Sequence, residues 1–523
     1  MSTAREVELK LEVPALSLHR LARSSLLQAA RKKLSKRATL VSVYFDTDKW
    51  ELRNKGLSLR VRRVGRRHVQ TIKQESGESA ALSIQNEWEH YIDGRQPNLD
   101  FAQDAALASL FSKNVRRSLG PIFETRVRRT VYPIQSGGSE IELTIDRGKV
   151  EAGSQSLPIC EVGLELKRGE ISELFKLART LAEDVPVQLA AKSKAERGYA
   201  LIAGEGPEPV KAARVALIPG CSQQAAFQAI ARACLRQLVA NQPATLGRDP
   251  DGLHQMRVAL RRLRAAISLF ADMLLDPQTE EMKSQFKWIT QELGPARELD
   301  VFMKRVVSPV TNSKPNGPGV AVLAKDLQQR REEAFARACT AVESTRFRGL
   351  VLDAAGWIEA GDWTRSTDDL IRSLREQSIV PAATDELRRR RKKLLKAGAQ
   401  LDQLDPQRRH KLRIQAKKLR YASEFFAGVF PGKKAMRRRK DFVAGLEKLQ
   451  DALGDLNDIT VHEGLSERIV EAQGADGKVR DGHLRKAFAA GRLSGREEAR
   501  IASVLKDAEH AYRAFAKTRP FWS

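Results

Sequence analysis

The sequence has few cysteines and no long hydrophobic segment. Its four cysteines show neither CxxC pairing nor the spacing of zinc ligands, which disfavours a disulfide scaffold and a zinc site; they are Cys160, Cys221, Cys234 and Cys339. The longest apolar runs, such as 105–111, are far shorter than the ~18 residues of a membrane span. The first ten residues are too charged for a secretory signal. We therefore expect a soluble, cytoplasmic protein with no membrane partner.

Acidic residues are outnumbered by basic ones, and aromatic residues are few. The 523 residues include 91 Lys and Arg against 65 Asp and Glu, which gives a formal net charge of +26. This excess favours a polyanionic partner, although a basic surface can also serve solubility alone. Aromatic residues make up only 6%, so platforms for stacking bases are few and nucleic acid is a disfavoured partner. At ~100–200 residues per domain, the length predicts two or three domains.

Residues up to about 200 alternate polar and apolar side chains, as β-strands do. The polar faces carry charges of both signs in strand after strand, which solvated outer faces would not explain. An antiparallel β-barrel with a charged tunnel explains the pattern better. Packed helices are predicted at 101–119 and 170–184. The predicted strands are 6–13, 57–64, 69–73, 82–92, 123–132, 140–146 and 159–167.

The period changes after a cluster of Gly, Pro and Glu at 204–218. We predict a tunnel domain at 1–204, a linker at 205–217 and an all-α domain at 218–523, and hence an α+β multidomain fold. Loops are predicted at 308–318 and 473–484. The predicted helices are 222–240, 254–274, 278–293, 321–345, 366–378, 384–403, 408–429, 434–453 and 496–517.

The helical half contains an internal repeat. HQMRVALRRLRAAISLF at 254–270 aligns with HKLRIQAKKLRYASEFF at 410–426, and LGPARELDV at 293–301 echoes LGDLNDITV at 453–461. This duplication predicts two pseudo-symmetric helical sub-bundles, at about 222–345 and 366–517.

Each repeat places a histidine and three cations on one helix face, at i, i+3, i+7 and i+10. Two interpretations are open. The stripes are either solvated faces partly paired with Asp300 and Asp458, or the walls of a channel that tracks a linear polyanion. Arginine offers forked phosphate contacts and histidine offers donors that depend on pH. The stripe residues are His254, Arg257, Arg261 and Arg264 in the first repeat, and His410, Arg413, Lys417 and Arg420 in the second.

Over residues 218–517 the helical half resembles the CHAD family, the conserved-histidine α-helical domains, through its duplicated H-x-x-R-x-x-x-[RK]-[RK]-x-R motif. The resemblance implies that the eight stripe residues bind long-chain inorganic polyphosphate, and that the protein could associate with polyphosphate granules. Arg262 and Lys418 match the motif but lie around the helix. The basic runs 388–394 and 437–440 could extend the surface or be solvated.

Over residues 5–202 the first half resembles the CYTH superfamily, the triphosphate tunnel metalloenzymes. CYTH followed by CHAD implies an inorganic triphosphatase. The ExExK signature is present as Glu6-Val7-Glu8-Leu9-Lys10. Further family elements follow in order, namely YFDT (44–47), LSLRVR (57–62), TIK (71–73), EWE (87–89), ELTIDRG (142–148), ICEVGLELK (159–167) and SKAERGY (193–199).

A triphosphate needs cationic walls, and these elements contain suitable residues. The family spacing R-x-x-[WY] selects Arg129 with Tyr132, since strand alternation turns Arg126 and Arg128 to the opposite face. Lys192 and Lys194 lie two apart, as residues on one strand face do. The predicted substrate-binding residues are Lys10, Arg60, Arg62, Lys73, Arg129, Lys192 and Lys194.

The carboxylates predict a site for Mg²⁺ or Mn²⁺, which favour oxygen ligands. Such a metal would neutralise phosphate charge and orient a water for attack on phosphorus. The predicted metal ligands are Glu6, Glu8, Asp146, Glu161 and Glu165. Glu87 and Glu89 fit further acidic positions of the family, and the predicted catalytic residues are Glu6, Glu8 and Lys10.

One position departs from the family pattern. The late acidic strand usually carries Glu-x-Glu, whereas here Gly163 stands two residues after Glu161. Glu165 lies on the same strand face, about 7 Å beyond Gly163. A weakened or inactive tunnel would leave a polyphosphate-binding or targeting protein. Adenylate cyclase and thiamine triphosphatase are other CYTH activities, but no sequence element specifies adenine or thiamine, and the oligomeric state is not indicated.

Overall fold

A computed structural model describes residues 6–21, 23–24, 26–28, 36–74, 82–101, 111–309, 319–471 and 481–522. The chain divides into two compact units. Unit one comprises 1–211, 232–247 and 343–365, and unit two comprises 212–231, 248–342 and 366–523. The predicted domain boundaries stay a prediction. None of the described helices combines the length and hydropathy that a membrane span requires.

The described strands of unit one form an antiparallel sheet that curls round a tunnel. The strand order is β5-β4-β3-β2-β6-β7-β8-β1-β9, and β1 also pairs with β5. The strands are β1 (Glu6–Glu12), β2 (Lys36–Asp46), β3 (Leu57–Val64), β4 (Arg67–Gln74), β5 (Leu82–Ile92), β6 (Gly120–Ser136), β7 (Ser139–Ala152), β8 (Gln155–Arg168) and β9 (Gln188–Leu189).

The alternation of side chains along each strand explains why charged residues line the inside of this sheet. On β3, Leu59 and Val61 are buried in an apolar cluster, whereas Arg60 and Arg62 line the tunnel. All seven predicted strands are present. Strand β2 was not predicted from the sequence. It begins with four exposed residues and ends with three consecutive buried ones, so its two faces do not alternate between exposed and buried.

The α-helices begin and end as follows: α1 (Leu18–Leu21), α2 (Glu51–Asn54), α3 (Lys113–Ser118), α4 (Ile171–Asp184), α5 (Lys194–Ala203), α6 (Gln223–Ala240), α7 (Gln242–Leu246), α8 (Pro250–Leu269), α9 (Pro277–Glu292), α10 (Gly294–Phe302), α11 (Val320–Glu343), α12 (Thr345–Ala360), α13 (Asp369–Glu376), α14 (Ile379–Gly398), α15 (Pro406–Phe425), α16 (Lys433–Glu471), α17 (Asp481–Glu498) and α18 (Ile501–Ala516). The predicted fold class, a tunnel-like antiparallel sheet followed by a largely helical region, is confirmed.

Several helices differ from the prediction. Helix α12 was missed because it is buried on most sides, so it has no polar face to set a period of 3.6. Helices α10 and most of α17 were also missed, and α17 includes residues 481–484 of a predicted loop. The remaining parts of the predictions at 101–119, 308–318 and 473–484 lie largely outside the described residues.

The two repeated segments occupy corresponding helices of unit two. Helix α8 carries the first stripe and α15 carries the second, and each begins with an aspartate cap followed by proline. Asp249 caps α8 and Asp405 caps α15 through their side chains. A proline at the first helical position suits its fixed φ and its missing N–H. The same local signals therefore start both stripe helices at the same point relative to their histidines.

Candidate functional site

Unit one contains an open cavity of about 760 Å³, which is lined mainly by residues of the strands. The predicted cations that line it are Lys10, Arg60, Arg62, Lys73, Arg129 and Lys194, and the predicted carboxylates are Glu8, Glu87, Glu89, Asp146 and Glu165. Lining residues that sequence reasoning missed are Lys167 and a set of hydroxyl groups on Ser42, Tyr44, Ser58, Thr125, Thr144 and Ser193. The missed residues on strands alternate like the charged ones, which is the signal that could have found them.

One cationic wall is formed by β3 and β4. Glu87 lies 3.4 Å from Arg60 Nη2 and 2.6 Å from Lys73 Nζ, so a single carboxylate bridges two cations. The nearby charge of Arg60, burial and the charge of Arg129 together lower the pKa of Arg62 to about 10. Cations that depress each other's pKa are stabilised when an anion enters between them.

The signature strand β1 contributes an ion pair to the tunnel. Glu8 and Lys10 lie 2.9 Å apart. Burial alone would raise the pKa of Glu8, but Lys10, Lys73 and Lys194 outweigh it and hold the pKa below its ordinary value. Glu8 is therefore an ionised carboxylate inside a cationic cavity.

A buried charge cluster joins β7, β8 and the start of α5. Asp146 and Glu161 are register partners, each 3% exposed. Asp146 accepts two hydrogen bonds of 2.8 Å from Arg129 and lies 2.9 Å from Lys194 Nζ. Glu161 accepts from Lys194 and lies 3.5 Å from Arg197. Burial would raise the pKa of Asp146, but Lys194 and Arg129 hold it far below its ordinary value.

The SKAERGY element holds Lys194 in place. Ser193 and Glu196 form a reciprocal capping box that starts α5, with Lys194 as its first residue. Later in the helix, the Tyr199 hydroxyl donates to Asp46 at 2.6 Å. Asp46, the aspartate of YFDT, also accepts from the backbone N–H groups of Thr47, Leu52 and Arg53.

The prediction that Lys192 and Lys194 share a strand face is wrong. The cap at Ser193 turns the chain into a helix, so the period of two does not apply. Lys194 lines the cavity, whereas Lys192 is exposed in a bend and is not among the lining residues. Arg129 does line the cavity, while Arg126 and Arg128 are exposed on the other face of β6.

The predicted metal ligands fall into two groups. Asp146 and Glu161 already accept from the cations of the buried cluster, and this geometry does not favour a metal role for them. Glu8 and Glu165 are register partners on β1 and β8 and both line the cavity. The next strand adds Glu142, the register partner of Glu165, to the same sheet face.

Oxygen donors of this kind fit Mg²⁺ or Mn²⁺. In the part of the chain that the structure describes, no three His, Cys, Asp or Glu side chains already converge as a metal site would require. Glu8 bonds to Lys10 and Glu165 bonds to Lys167, so both carboxylates would exchange a lysine for the metal. The side chain of Glu6 lies outside the described residues.

The two stripes of unit two face each other. Helix α8 is linked to α15 by Arg262, which is 6% exposed and donates to Glu424. Burial lowers the pKa of Lys417 to about 7, and the charges of Arg413 and Arg261 add to the effect. Because Arg261 lies on α8 and the other two lie on α15, cations of both stripes lie close enough to lower the pKa of Lys417. We call the surface that carries these cations the groove.

The groove arginines have unmet hydrogen-bonding capacity. The Nε atoms of Arg257, Arg261 and Arg413 are buried without a hydrogen-bond partner among the described residues. Burial and the charge of Arg261 lower the pKa of Arg257 to about 10. Burial and the charge of Arg297 lower the pKa of His254 to about 4, so its imidazole is neutral at pH 7.

The carboxylates proposed as counter-charges bond to other residues. Asp300 lies 3.2 Å from Arg297 and 2.9 Å from Arg331. Asp458 lies 3.0 Å from Arg305. Asp458 therefore offsets the charges of Arg413 and Lys417 only in part, and the pKa of Lys417 stays well below its ordinary value. This incomplete compensation argues against the solvated-face interpretation.

The stripe residues differ in how free their side chains are to bind an anion. Arg420 donates to Glu424 at 2.6 Å and to Gln450 at 3.1 Å. His410 lies 2.5 Å from Asn457 through Nδ1, and Arg264 is exposed. The central groove therefore consists of Arg257, Arg261, Arg413 and Lys417.

The glycines of the repeated LG pair lie beside corresponding arginines of the two stripes. A Cβ on Gly294 would lie 3.2 Å from Arg257 Nη1, and one on Gly454 would lie 3.8 Å from Arg413 Nε. Arg257 Nη1 also donates to the carbonyl oxygen of Thr290 at 3.2 Å. Gly294 thus lets Arg257 lie close to the neighbouring helix, whereas the space beside Gly454 would accept a methyl group.

Comparison with known proteins assigns both parts of the chain. Residues 4–199 match the family described as the CYTH domain, and residues 229–467 match the CHAD domain. The chain is therefore a two-domain protein in which a CYTH domain precedes a CHAD domain.

Two relatives illustrate the match. An inorganic triphosphatase of Haemophilus influenzae is 30% identical over 165 residues, which are 31% of this chain and 46% of that protein. The chain therefore matches less than half the length of this curated relative. The crystal structure of the CHAD domain from the plant Ricinus communis is 26% identical with a TM-score of 0.50, covering 59% of this chain and 98% of that one.

Proposed function

We propose that the tunnel of unit one hydrolyses inorganic triphosphate with a divalent metal, and that the groove of unit two binds long-chain inorganic polyphosphate. The observation that carries the first part is the open tunnel-like cavity, which is lined by cations from several strands. A short, highly charged anion fits such a cavity because it neutralises cations on all walls at once. The match to an inorganic triphosphatase supports the same substrate.

The residues have distinct tasks in this proposal. Arg60, Arg62, Lys73 and Arg129 bind phosphoryl oxygens, with forked contacts from the arginines. CYTH triphosphatases depend on a metal in general, and Mg²⁺ or Mn²⁺ held by Glu8 and Glu165 would supply Lewis-acid chemistry. Lys194 stays oriented towards the cavity through its bonds to Asp146 and Glu161.

Phosphate release from tripolyphosphate, with and without Mg²⁺ or Mn²⁺, tests the tunnel. We expect metal-dependent release by the full chain and a roughly 100- to 1,000-fold loss in Arg129→Ala, the cost of one electrostatic contact to a transition state. Arg128→Ala is the matched control, since Arg128 is exposed on the opposite face of the same strand. Equal activity of the two variants would refute the tunnel assignment.

The substrate class needs its own comparison. ATP and thiamine triphosphate, offered at the same concentration, distinguish the proposed reaction from the other activities of the family. We expect tripolyphosphate to be preferred, because the described lining residues provide cations and hydroxyl groups rather than an apolar pocket for a base. Faster turnover of either organic triphosphate would overturn this part.

Polyphosphate binding rests on the central groove cations. A linear polyanion would give the buried arginine Nε atoms acceptors and would restore the depressed charge of Lys417. A direct test replaces Arg257, Arg261, Arg413 and Lys417 with alanine. A control removes four exposed cations elsewhere in unit two, Lys287, Lys325, Arg337 and Lys506.

We expect only the groove variant to lose retention on immobilised polyphosphate. The log–log salt dependence of binding should also fall by roughly 3 in slope, since each lost phosphate contact removes close to one released counterion. Equal loss in the control variant would mean that net charge alone governs binding.

An inactive tunnel with a working groove is the second candidate, favoured by the glycine at 163. In that case no metal would produce phosphate release, while polyphosphate retention would persist.

A further inference from the structure

Gly163 lies at a crowded point of the tunnel wall. It is the register partner of Lys10 on β1 and of Thr144 on β7, and both of these residues line the cavity. Residues directly opposite in an antiparallel pair project to the same face. The side-chain direction of position 163 therefore points into the tunnel.

Other side chains already occupy the space in front of Gly163. A Cβ there would lie 2.6 Å from Thr144 Oγ1 and 2.8 Å from Glu8 Oε1. Both distances are well inside van der Waals contact, so any side chain would displace the Glu8 carboxylate, the Thr144 hydroxyl, or both.

The Glu8 carboxylate thus extends from its own strand over the backbone of β8. This location keeps it 2.9 Å from Lys10 Nζ. It also places the oxygen beside the Thr144 hydroxyl and within the electrostatic influence of Arg129.

We propose that Gly163 is a positioning residue for Glu8: the absent side chain provides the space in which the Glu8 carboxylate lies against β8, and this placement sets the affinity of the tunnel for a divalent cation. Gly163 is then a requirement of the present site rather than the loss of a ligand. The inference rests on the proposed function, because Glu8 is the metal-binding carboxylate there.

The test measures Mn²⁺ binding to the full chain by electron paramagnetic resonance, without triphosphate. We expect Gly163→Ala to weaken the Glu8-dependent site roughly 10- to 100-fold, the usual cost of disturbing a residue that orients a metal ligand. Gly120→Ala is the matched control, since a Cβ on this strand glycine meets nothing within 4 Å. Its Mn²⁺ affinity should equal that of the wild type.

A double-mutant cycle shows whether the effect passes through Glu8. In a Glu8→Ala background, Gly163→Ala should cause no further loss of Mn²⁺ affinity, because no carboxylate remains to be displaced. If Gly163→Ala folds poorly, Thr144→Ala/Gly163→Ala removes one of the two clashes and keeps the one with Glu8. That variant should fold and still bind Mn²⁺ weakly.

Three results would overturn the inference. Wild-type affinity in Gly163→Ala would do so while leaving the proposed hydrolysis intact. Tighter Mn²⁺ binding by Gly163→Glu would show that the position merely lacks a ligand. Absence of both Mn²⁺ binding and phosphate release in the wild type would refute the proposed function and this inference together.

Discussion

The proposed binding of polyphosphate should depend on pH through Lys417. Burial, reinforced by the charges of Arg413 and Arg261, lowers its pKa to about 7, and Asp458 only partly offsets this. A polyanion in the groove would stabilise the ammonium form and raise the pKa back towards its ordinary value. Above pH 7 the unbound lysine is increasingly neutral, so binding must take up a proton.

The magnitude follows from the fraction of chains that carry the charge. With a pKa of about 7, about half of the unbound chains have a charged Lys417 at pH 7, and about one in a hundred at pH 9. If only the charged form binds well, affinity falls about 50-fold between these two pH values. Imidazoles of ordinary pKa are largely neutral over this range and add little.

The assay is calorimetric titration with long-chain polyphosphate at pH 7, 8 and 9 and constant ionic strength. Repeating each titration in buffers of different ionisation enthalpy gives the proton uptake directly. We expect about half a proton at pH 7 and nearly one at pH 9. Lys417→Arg should bind with little pH dependence, since a guanidinium keeps its charge.

Lys411→Arg is the control, because Lys411 is exposed on the same helix. It should retain the wild-type pH profile. If wild type and Lys417→Arg show the same profile and no buffer dependence, the groove assignment of Lys417 is wrong.

The remaining predictions concern stability. Asp46→Ala should lower the free energy of unfolding by roughly 3 kcal/mol and Tyr199→Phe by about 1 kcal/mol, because the first removes four hydrogen bonds and the second removes one; urea unfolding measures both. Arg262→Leu should cost roughly 2 kcal/mol, since it removes the charge-assisted hydrogen bond to Glu424, which keeps only its bond to Arg420. Burial opposes the charge of Asp146, but Lys194 and a neighbouring arginine hold its pKa well below the ordinary 3.8. Its stabilisation is thus complete above about pH 5 and decreases as the pH falls through the unfolded-state pKa, which thermal unfolding of wild type and Asp146→Asn would show.

The sequence predicted the strands well because their polar faces line a tunnel, and the period of two survives wherever one face is buried in apolar contacts and the other is charged. It failed at Lys192 because a capping box of two residues, Ser193 and Glu196, overrides alternation locally. It failed at α12 because a helix buried on most sides has no period to detect. The sequence identified the types of residue that form the site. The direction of a side chain such as Lys192, and the presence of α12, depended on the helix cap and on burial.

The charged clusters show a second limit. The stripes were predictable, since spacing alone places His254, Arg257, Arg261 and Arg264 on one face. Their ion pairing was not predictable, because Asp300 and Asp458 bond to arginines that lie outside the motif. Ion pairs form between side chains of different helices, and the period of one helix does not predict which side chains of its neighbours lie within bonding distance.

Gly163 shows why a missing residue is hard to interpret from sequence. Judged by its strand alone, the glycine deletes a carboxylate. In the folded chain the same space holds a hydroxyl and a carboxylate from the two flanking strands, Thr144 and Glu8. A tunnel wall is a surface shared by three strands, so its chemistry at one point is set by whichever strand supplies the side chain there. The glycine at position 163 therefore indicates first where the Glu8 carboxylate lies. By itself it does not indicate that the tunnel is inactive.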